Sequence, residues 1–329
     1  MNDWGRWGWV NDEGLITFWL AMQFFRTGRE DYLEAFAAMA RHVRDVDTVH
    51  TQSTPRSEII AAEPYTEFRY TEYVNRRGTG HRHNVQHWGD GYVGTRVSIS
   101  IAQRLYYYLT GDGRTRDVID EVYESNVGPE HGKAIDSTSS ILYSLLTKWE
   151  LSGDEKYKDM FAAFLEVCYE YQEKSGGYFP SEFFFDYLNR KPLGEFDGKA
   201  EGTFYHYFGF LHALLDYYEL TGDERLKEAF IRLAELSTEE RSYGRRRQFL
   251  LRSIGYRLSG DEKYRQLILQ NLQGIMDRPL VPREREDWIG PTATARAVSS
   301  MGFAIGGIPY AMEAIGSEEG TKPPERKSE

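Results

Sequence analysis

Five times along the chain an aromatic-rich apolar run ends in Thr/Ser-Gly and gives way to a charged, amphipathic run. The segments are FFRTGREDYLEAF, YYLTGDGRTRDVI, WELSGDEKYKDMF, YYELTGDERLKEAF and GYRLSGDEKYRQLI. Their glycines, Gly28, Gly111, Gly153, Gly222 and Gly260, are separated by 83, 42, 69 and 38 residues. The basic unit is therefore about 40 residues long. The two long intervals carry insertions, placed at residues 48–90 and 174–202.

Each unit reads as a helical hairpin. Glycine after a helix supplies the left-handed cap, and the acidic residues after it suit the next helix N-terminus. The two helices of a unit differ in kind. FYHYFGFLHALLDYYEL, before Gly222, is apolar on nearly every side, as a helix buried all round must be. ERLKEAFIRLAEL, after it, keeps Leu226, Phe230, Leu233 and Leu236 on one stripe and covers something with one face. This alternation predicts an inner ring of helices wrapped by an outer ring. Inner helices are expected to start near residues 14, 92, 134, 203, 243 and 293, and outer helices near 30, 114, 155, 224 and 262. The fold class is all-α, an (α/α)6-type toroid of hairpins short of one outer helix. Residues 1–316 form a single domain in this reading, and 317–329 a polar tail of the kind that frays. A superhelical solenoid of helix pairs is the alternative; unequal insertions and apolar inner helices favour closure.

Composition narrows the function. With 40% hydrophobic and 15% aromatic residues over 329 positions, the chain can build a large core and is not disordered. A formal net charge of −11 argues against nucleic acid and against anionic membrane as partners. No apolar run approaches the ~20 residues of a membrane span. The start shows no basic stretch followed by an apolar one, so the chain as written is expected in the cytoplasm. A secreted or periplasmic location is expected if it is part of a longer protein. Cys168 is the only cysteine, which removes intramolecular disulfides and thiolate metal clusters.

The hairpin topology predicts where chemistry belongs. The Gly turns share one face, short and stereotyped. The segments leading into inner helices share the other: residues 11–14, 78–92, 128–136, 194–206, 241–247 and 287–296. Inner-helix N-termini point there, which favours an anionic ligand. His81, His83, His87, His131 and His206, five of the eight histidines, fall in these segments. The densest constellation is His81-Arg82-His83-Asn84-Val85-Gln86-His87-Trp88-Gly89-Asp90. Imidazoles exchange protons near neutral pH, guanidinium pairs with carboxylate, and indole offers a face for sugar stacking. General acid–base chemistry on an anionic substrate is one reading. A metal held by His83 and His87 at i, i+4 is a second, although no other ligand cluster supports it, and no cofactor is expected. A polar loop whose imidazoles satisfy backbone groups is the third.

Other positions carry less. Glu201 and Tyr205, four apart, can share a helix face with His206 next to them, as acid, base or substrate contact; a helix-start carboxylate and a packed aromatic are the plain alternative. His212 reads as a hydrogen-bonded core histidine. Trp4, Trp7 and Trp9 suit a sugar platform or a seal against a neighbouring domain. Asp12 and Glu13 suit caps or a carboxylate pair. Arg245, Arg246 and Arg247 place a basic run at the mouth of an acidic protein.

DWGRWGWVNDEG at the start, ARHVRDVDTVH at 40–50 and GTGHRHNVQHWGDGY at 78–92 together resemble the C-terminal α/α-toroid of exo-acting rhamnogalacturonan lyases, the family 26 polysaccharide lyases and their bacterial relatives. The resemblance runs over roughly residues 3–312, with the His-rich segment its most specific part. It implies β-elimination on a uronic-acid-containing pectic chain, with an acidic oligo- or polysaccharide as partner. Such enzymes carry β-rich domains ahead of the toroid, so the Trp-rich start is expected to pack on a β-rich domain or a second chain. Within that implication, Arg82 and Asn84 with Arg245 in support would neutralise the substrate carboxylate. His83 or His87 would be the base and Tyr205 or His206 the acid, with Trp88 on a sugar face and His81, Trp7, Asp12 and Glu201 as further contacts. A glycoside hydrolase drawing on Asp12, Glu13, Asp90 and Glu201, a sugar epimerase, and a non-catalytic glycan-binding toroid are the rivals.

Overall fold

The computed structural model describes residues 2–3, 9–10, 15–51, 77–78, 80–82, 90–94, 101–127, 134–180, 184–193, 209–238, 248–276 and 306–316. Its helices are α1 (Ile16–Thr27), α2 (Glu30–His42), α3 (Ile101–Thr110), α4 (Gly113–Asn126), α5 (Ala134–Ser152) and α6 (Glu155–Lys174). After these come α7 (Phe210–Thr221), α8 (Glu224–Leu236), α9 (Phe249–Ser259), α10 (Glu262–Met276) and α11 (Ile308–Gly316). Three short antiparallel hairpins accompany them: β1 (Asn2–Asp3) with β2 (Trp9–Val10), β3 (Gly80–Arg82) with β4 (Asp90–Gly94), and β5 (Phe184–Asp186) with β6 (Lys191–Leu193).

The hairpin turns form as the sequence dictates. Gly28, Gly111, Gly153, Gly222 and Gly260 all have φ between 66° and 70°, the left-handed region open to glycine at little cost. The Gly28, Gly111, Gly153, Gly222 and Gly260 N–H groups close the preceding helices onto Phe24, Tyr107, Trp149, Tyr218 and Tyr256. Asp112 then accepts from the Thr115 N–H, Asp154 from the Lys156 N–H, and Asp223 from the Arg225 and Leu226 N–H groups. Each such cap contributes ~1 kcal/mol, less than the ~2–3 kcal/mol of one fully buried Phe. Packing therefore holds the ring, while the caps fix where each helix begins.

Burial divides the helices in two. In α7, Phe210 through Leu215 and Tyr217 are all buried; in α9, Phe249 through Gly255 are; in α5, Ser139 through Thr147 are. These are inner helices. α8 buries Leu226, Ala229, Phe230, Leu233 and Ala234 along one stripe, as an outer helix should, and Leu236 is half-buried. The late part of each outer helix meets the start of the next outer helix. Arg44, just beyond α2, bonds the α4 cap Asp112; Tyr123 packs edge-on against Tyr157 of α6; Tyr169 donates to the α8 cap Asp223 at 3.1 Å; Lys263 and Tyr264 of α10 donate to Glu235 of α8. The inner helices run α1–α3–α5–α7 by direct contact, and α9 packs on α11. Tyr310 of α11 stacks on Phe18 of α1, so the last described helix returns to the first.

The outer helices start at 30, 113, 155, 224 and 262, within one residue of expectation. The inner starts near 14 and 134 hold, at Ile16 and Ala134; the others need correction. Near residue 92 there is no helix, because Asp90–Gly94 is β4, paired with β3; the Tyr-Val core of DGYVG, bounded by glycines, suits a strand. The helix there is described from Ile101. The fourth inner helix begins at Phe210 rather than 203, since Gly209 has φ 83° and breaks any helix running through it. The fifth begins at Phe249 rather than 243, and the helix expected near 293 is described at Ile308–Gly316. Residues 317–329 lie outside the described ones.

Candidate functional site

The His-rich segment is built on the β3–β4 hairpin. Gly80 pairs with Gly94 and Arg82 with Asp90, with an irregularity between the two pairs. Residues 83–89 therefore link two paired strands rather than lead straight into a helix. β3 lies beside β2, the Trp9–Val10 strand of the Trp-rich start. It also lies beside a π turn, Val43–Asp47, that continues α2. Three separate stretches singled out in the sequence, around residues 9, 45 and 81, are thus brought to one place. A wide turn of this kind breaks the i→i−4 ladder and is common at functional sites.

The π turn is dense in charge held at low exposure. The Arg44 side chain is only 7% exposed and is bonded by Asp45 at 2.5 Å, Asp112 at 2.9 Å and the Thr115 hydroxyl at 3.2 Å. The hydrogen bond from Arg44 holds the Asp45 carboxyl below the usual carboxylate range, against the opposing effect of burial. Burial also opposes the shift at Asp112, where the Thr115 N–H and Arg44 prevail and hold the carboxyl down. Asp47 is buried and lies 3.4 Å from the half-exposed His42. His50 Nε2 faces the Arg44 carbonyl at 2.7 Å, while Nδ1 faces both Glu121 oxygens at 3.2 Å. Both ring nitrogens thus face oxygen acceptors, so the ring serves as a brace between α4 and the π turn. Arg77, at the other flank, lies 3.4 Å from Glu121.

Elsewhere, between the first and last described helices, the interior is closed by aromatic packing. Phe18, His212 and Tyr310 meet edge-on or stacked with centroids 5.1–6.5 Å apart. His212 Nε2 donates to the Gly306 carbonyl at 2.9 Å. Burial drives its pKa down to about 4, so it is a neutral core histidine, as its sequence position implied. One turn on, the Asp216 carboxyl is pushed up to about 6, first by burial and further by Glu150 and Glu219, against the pull of Arg104. Its neighbour Tyr143 is fully buried, and burial raises the phenol well above its ordinary value.

The expected site residues fare unevenly. His81 and Arg82 lie on β3, beside the π turn. His83, Asn84, His87, Trp88, Glu201, Tyr205, His206, Arg245, Trp7 and Asp12 lie outside the described residues. Among the described residues no group of three or more His, Cys, Asp or Glu is placed to hold a metal ion, and no described helix is long and apolar enough to cross a membrane. Sequence reasoning missed His50, Glu121, Asp47 and Asp216. The available signal for Asp47 and His50 was VRDVDTVH itself, where charges alternate with valines at a helix end. For Asp216 it was a carboxylate in the mostly apolar run FLHALLDYYEL.

Residues 72–134 match the family described as the PcRGLX-like protein C-terminal alpha/alpha toroid domain. This is the kind of toroid that the sequence motifs resemble. The chain is 32% identical over 171 residues to the uncharacterized protein YetA of Bacillus subtilis. That alignment takes in 47% of this chain and 17% of the relative's length. The fold is similar to the crystal structure of the Lin0763 protein from Listeria innocua, with a TM-score of 0.50 and 13% identity over 94% of this chain and 88% of that one.

Proposed function

We propose that this toroid is carbohydrate-active and cleaves a uronic-acid-containing, rhamnogalacturonan-like glycan by β-elimination. The observation that carries the reading is the match of residues 72–134 to a rhamnogalacturonan-lyase-type toroid domain. That stretch contains the whole His81–Trp88 constellation, whose supporting strand β3 sits against the charged π turn.

Elimination asks three things of the protein. The carboxylate on C5 must be neutralised so that charge can build at that carbon; Arg82, Asn84 and Arg245 have the right chemistry. A base must take the C5 proton, the role of His83 or His87. The electron pair then forms the C4–C5 double bond as the C4–O bond breaks. Tyr205 or His206 protonates the departing oxygen, and Trp88 stacks on a sugar face. Protons and electrons balance without a redox partner.

Incubation with rhamnogalacturonan, following the ultraviolet absorbance of the new C4–C5 double bond, tests this. Rising absorbance supports elimination. Sugar release without it points to a hydrolase, interconversion of a free sugar to an epimerase, and oligosaccharide binding without turnover to a binding toroid.

A further inference from the structure

We infer that Glu121 and His50 are positioning residues for the β3–β4 hairpin, holding β3 beside the π turn. Two links just ahead of β3 tie it down. The Gly78 N–H donates to the Val49 carbonyl at 2.8 Å, and Arg77 Nε lies 3.4 Å from Glu121. Both lead to one carboxylate. Val49 is next to His50, and His50 Nδ1 lies 3.2 Å from the same Glu121. Glu121 itself sits on α4, only 6% exposed, on an element held by its own cap and by Arg44.

A carboxylate this far out of water is stable only when its acceptor sites are filled, and removing a partner leaves the rest uncompensated. Glu121 is faced by one group before the insertion, His50, and ion-paired with one after it, Arg77. It is thus the point where the chain on either side of residues 52–76 is fastened to the helical ring. The His-rich hairpin starts three residues beyond Arg77, at Gly80. Surface ion pairs contribute little; this one is different because its acidic partner is buried and faced by both His50 and Arg77. With the clamp intact, β3 stays beside the π turn. Without it, His81 and Arg82 lose their fixed place beside the π turn, and a misplacement of about 1 Å costs up to 10²-fold in rate.

The activity arm of the test rests on the lyase reading; the exchange arm does not. Native-state hydrogen exchange is compared between the wild type, Glu121→Ala, Glu121→Gln and Arg77→Ala. In Glu121→Ala, amides of residues 79–94 are expected to exchange ~10-fold faster or more, while α7, α8 and α9 keep wild-type protection. Glu121→Gln, which keeps one acceptor oxygen, should restore part of that protection. Arg77→Ala removes a half-exposed partner, so it folds even if Glu121→Ala does not, and it should loosen the same segment to a lesser degree. On the glycan, Glu121→Ala should lower kcat at least ~10-fold with KM changed less than ~3-fold. Unchanged exchange over 79–94 in every variant overturns the inference, as does acceleration spread evenly over the ring. If no variant or wild type turns over glycan while 79–94 still loosens, the positioning role stands and the lyase reading fails.

Discussion

His212 and Asp216 sit one helical turn apart on α7 and titrate in opposite senses. His212 Nε2 donates to the Gly306 carbonyl at 2.9 Å, and burial lowers its pKa from 6.5 to about 4. Asp216 is raised from 3.8 to about 6 by burial. The imidazole's contribution is fully present above pH 6.5 and is lost as pH falls toward 4. The carboxyl binds its proton more tightly in the folded state, so its contribution grows as pH falls through 6 and is complete below 3.8. Between pH 6 and 4 the two offset one another, each on the order of 3 kcal/mol.

Removing the carboxyl should expose the histidine. Asp216→Asn is expected to raise stability at pH 8, where the native carboxylate is charged and buried. Its advantage should shrink toward pH 4, giving a steeper acid loss than in the wild type. Urea unfolding at pH 8, 6 and 4 measures this. Parallel pH profiles for the two proteins would rule out Asp216 as a coupled buried acid.

The ring closure is tight at Gly307. A Cβ there would lie 2.6 Å from the Leu250 backbone nitrogen and 2.9 Å from the Phe249 Cβ. Backbone cannot move aside as a side chain can. Gly307→Ala should therefore cost about 1–3 kcal/mol, read as a lower urea midpoint. Gly316→Ala, with nothing within 4 Å of the added carbon, is the matched control and should stay within ~0.5 kcal/mol of the wild type.

The outer ring is stapled through its caps. Asp223 accepts from the Arg225 and Leu226 N–H groups and from the Tyr169 hydroxyl at 3.1 Å. Asp223→Ala should cost about 1–2 kcal/mol and Tyr169→Phe about 1 kcal/mol. Because both act on one carboxylate, the double variant should lose less than the sum of the two, by ~0.5 kcal/mol or more. Strict additivity in the cycle would show that the cross-helix bond contributes nothing.

What was legible in the sequence was local chemistry. Thr/Ser-Gly-Asp writes a left-handed cap and an N-cap within three residues, so outer helices at 113, 155, 224 and 262 were placed within a residue. Inner starts near 92, 203 and 243 were not, because no Thr/Ser-Gly-Asp signal precedes them. DGYVG reads like a helix opening until its pairing with residues 80–82 is seen, and Gly209 ends a run that periodicity alone continues. The repeat of helical hairpins was visible as a period, but the meeting of β2, β3 and the π turn was not. It depends on contacts between residues about 35 apart or more, and no local pattern records those. His50 and Glu121 went unnoticed for the same reason: 71 positions separate them.

In the proposed mechanism His83 is one of two imidazoles assigned to the C5 proton. His83→Ala should lower turnover ~10²–10⁴-fold and leave the unfolding midpoint unchanged. His87→Ala, assayed in parallel, identifies which of the two is the base. If neither substitution slows turnover, the base lies outside the His-rich segment.

The most direct measurement is the absorbance of the C4–C5 double bond during incubation of the purified chain with rhamnogalacturonan. The account predicts absorbance that rises with chain cleavage and is lost in the His83→Ala, His87→Ala double variant. Cleavage without that absorbance, or turnover untouched in the double variant, would contradict it.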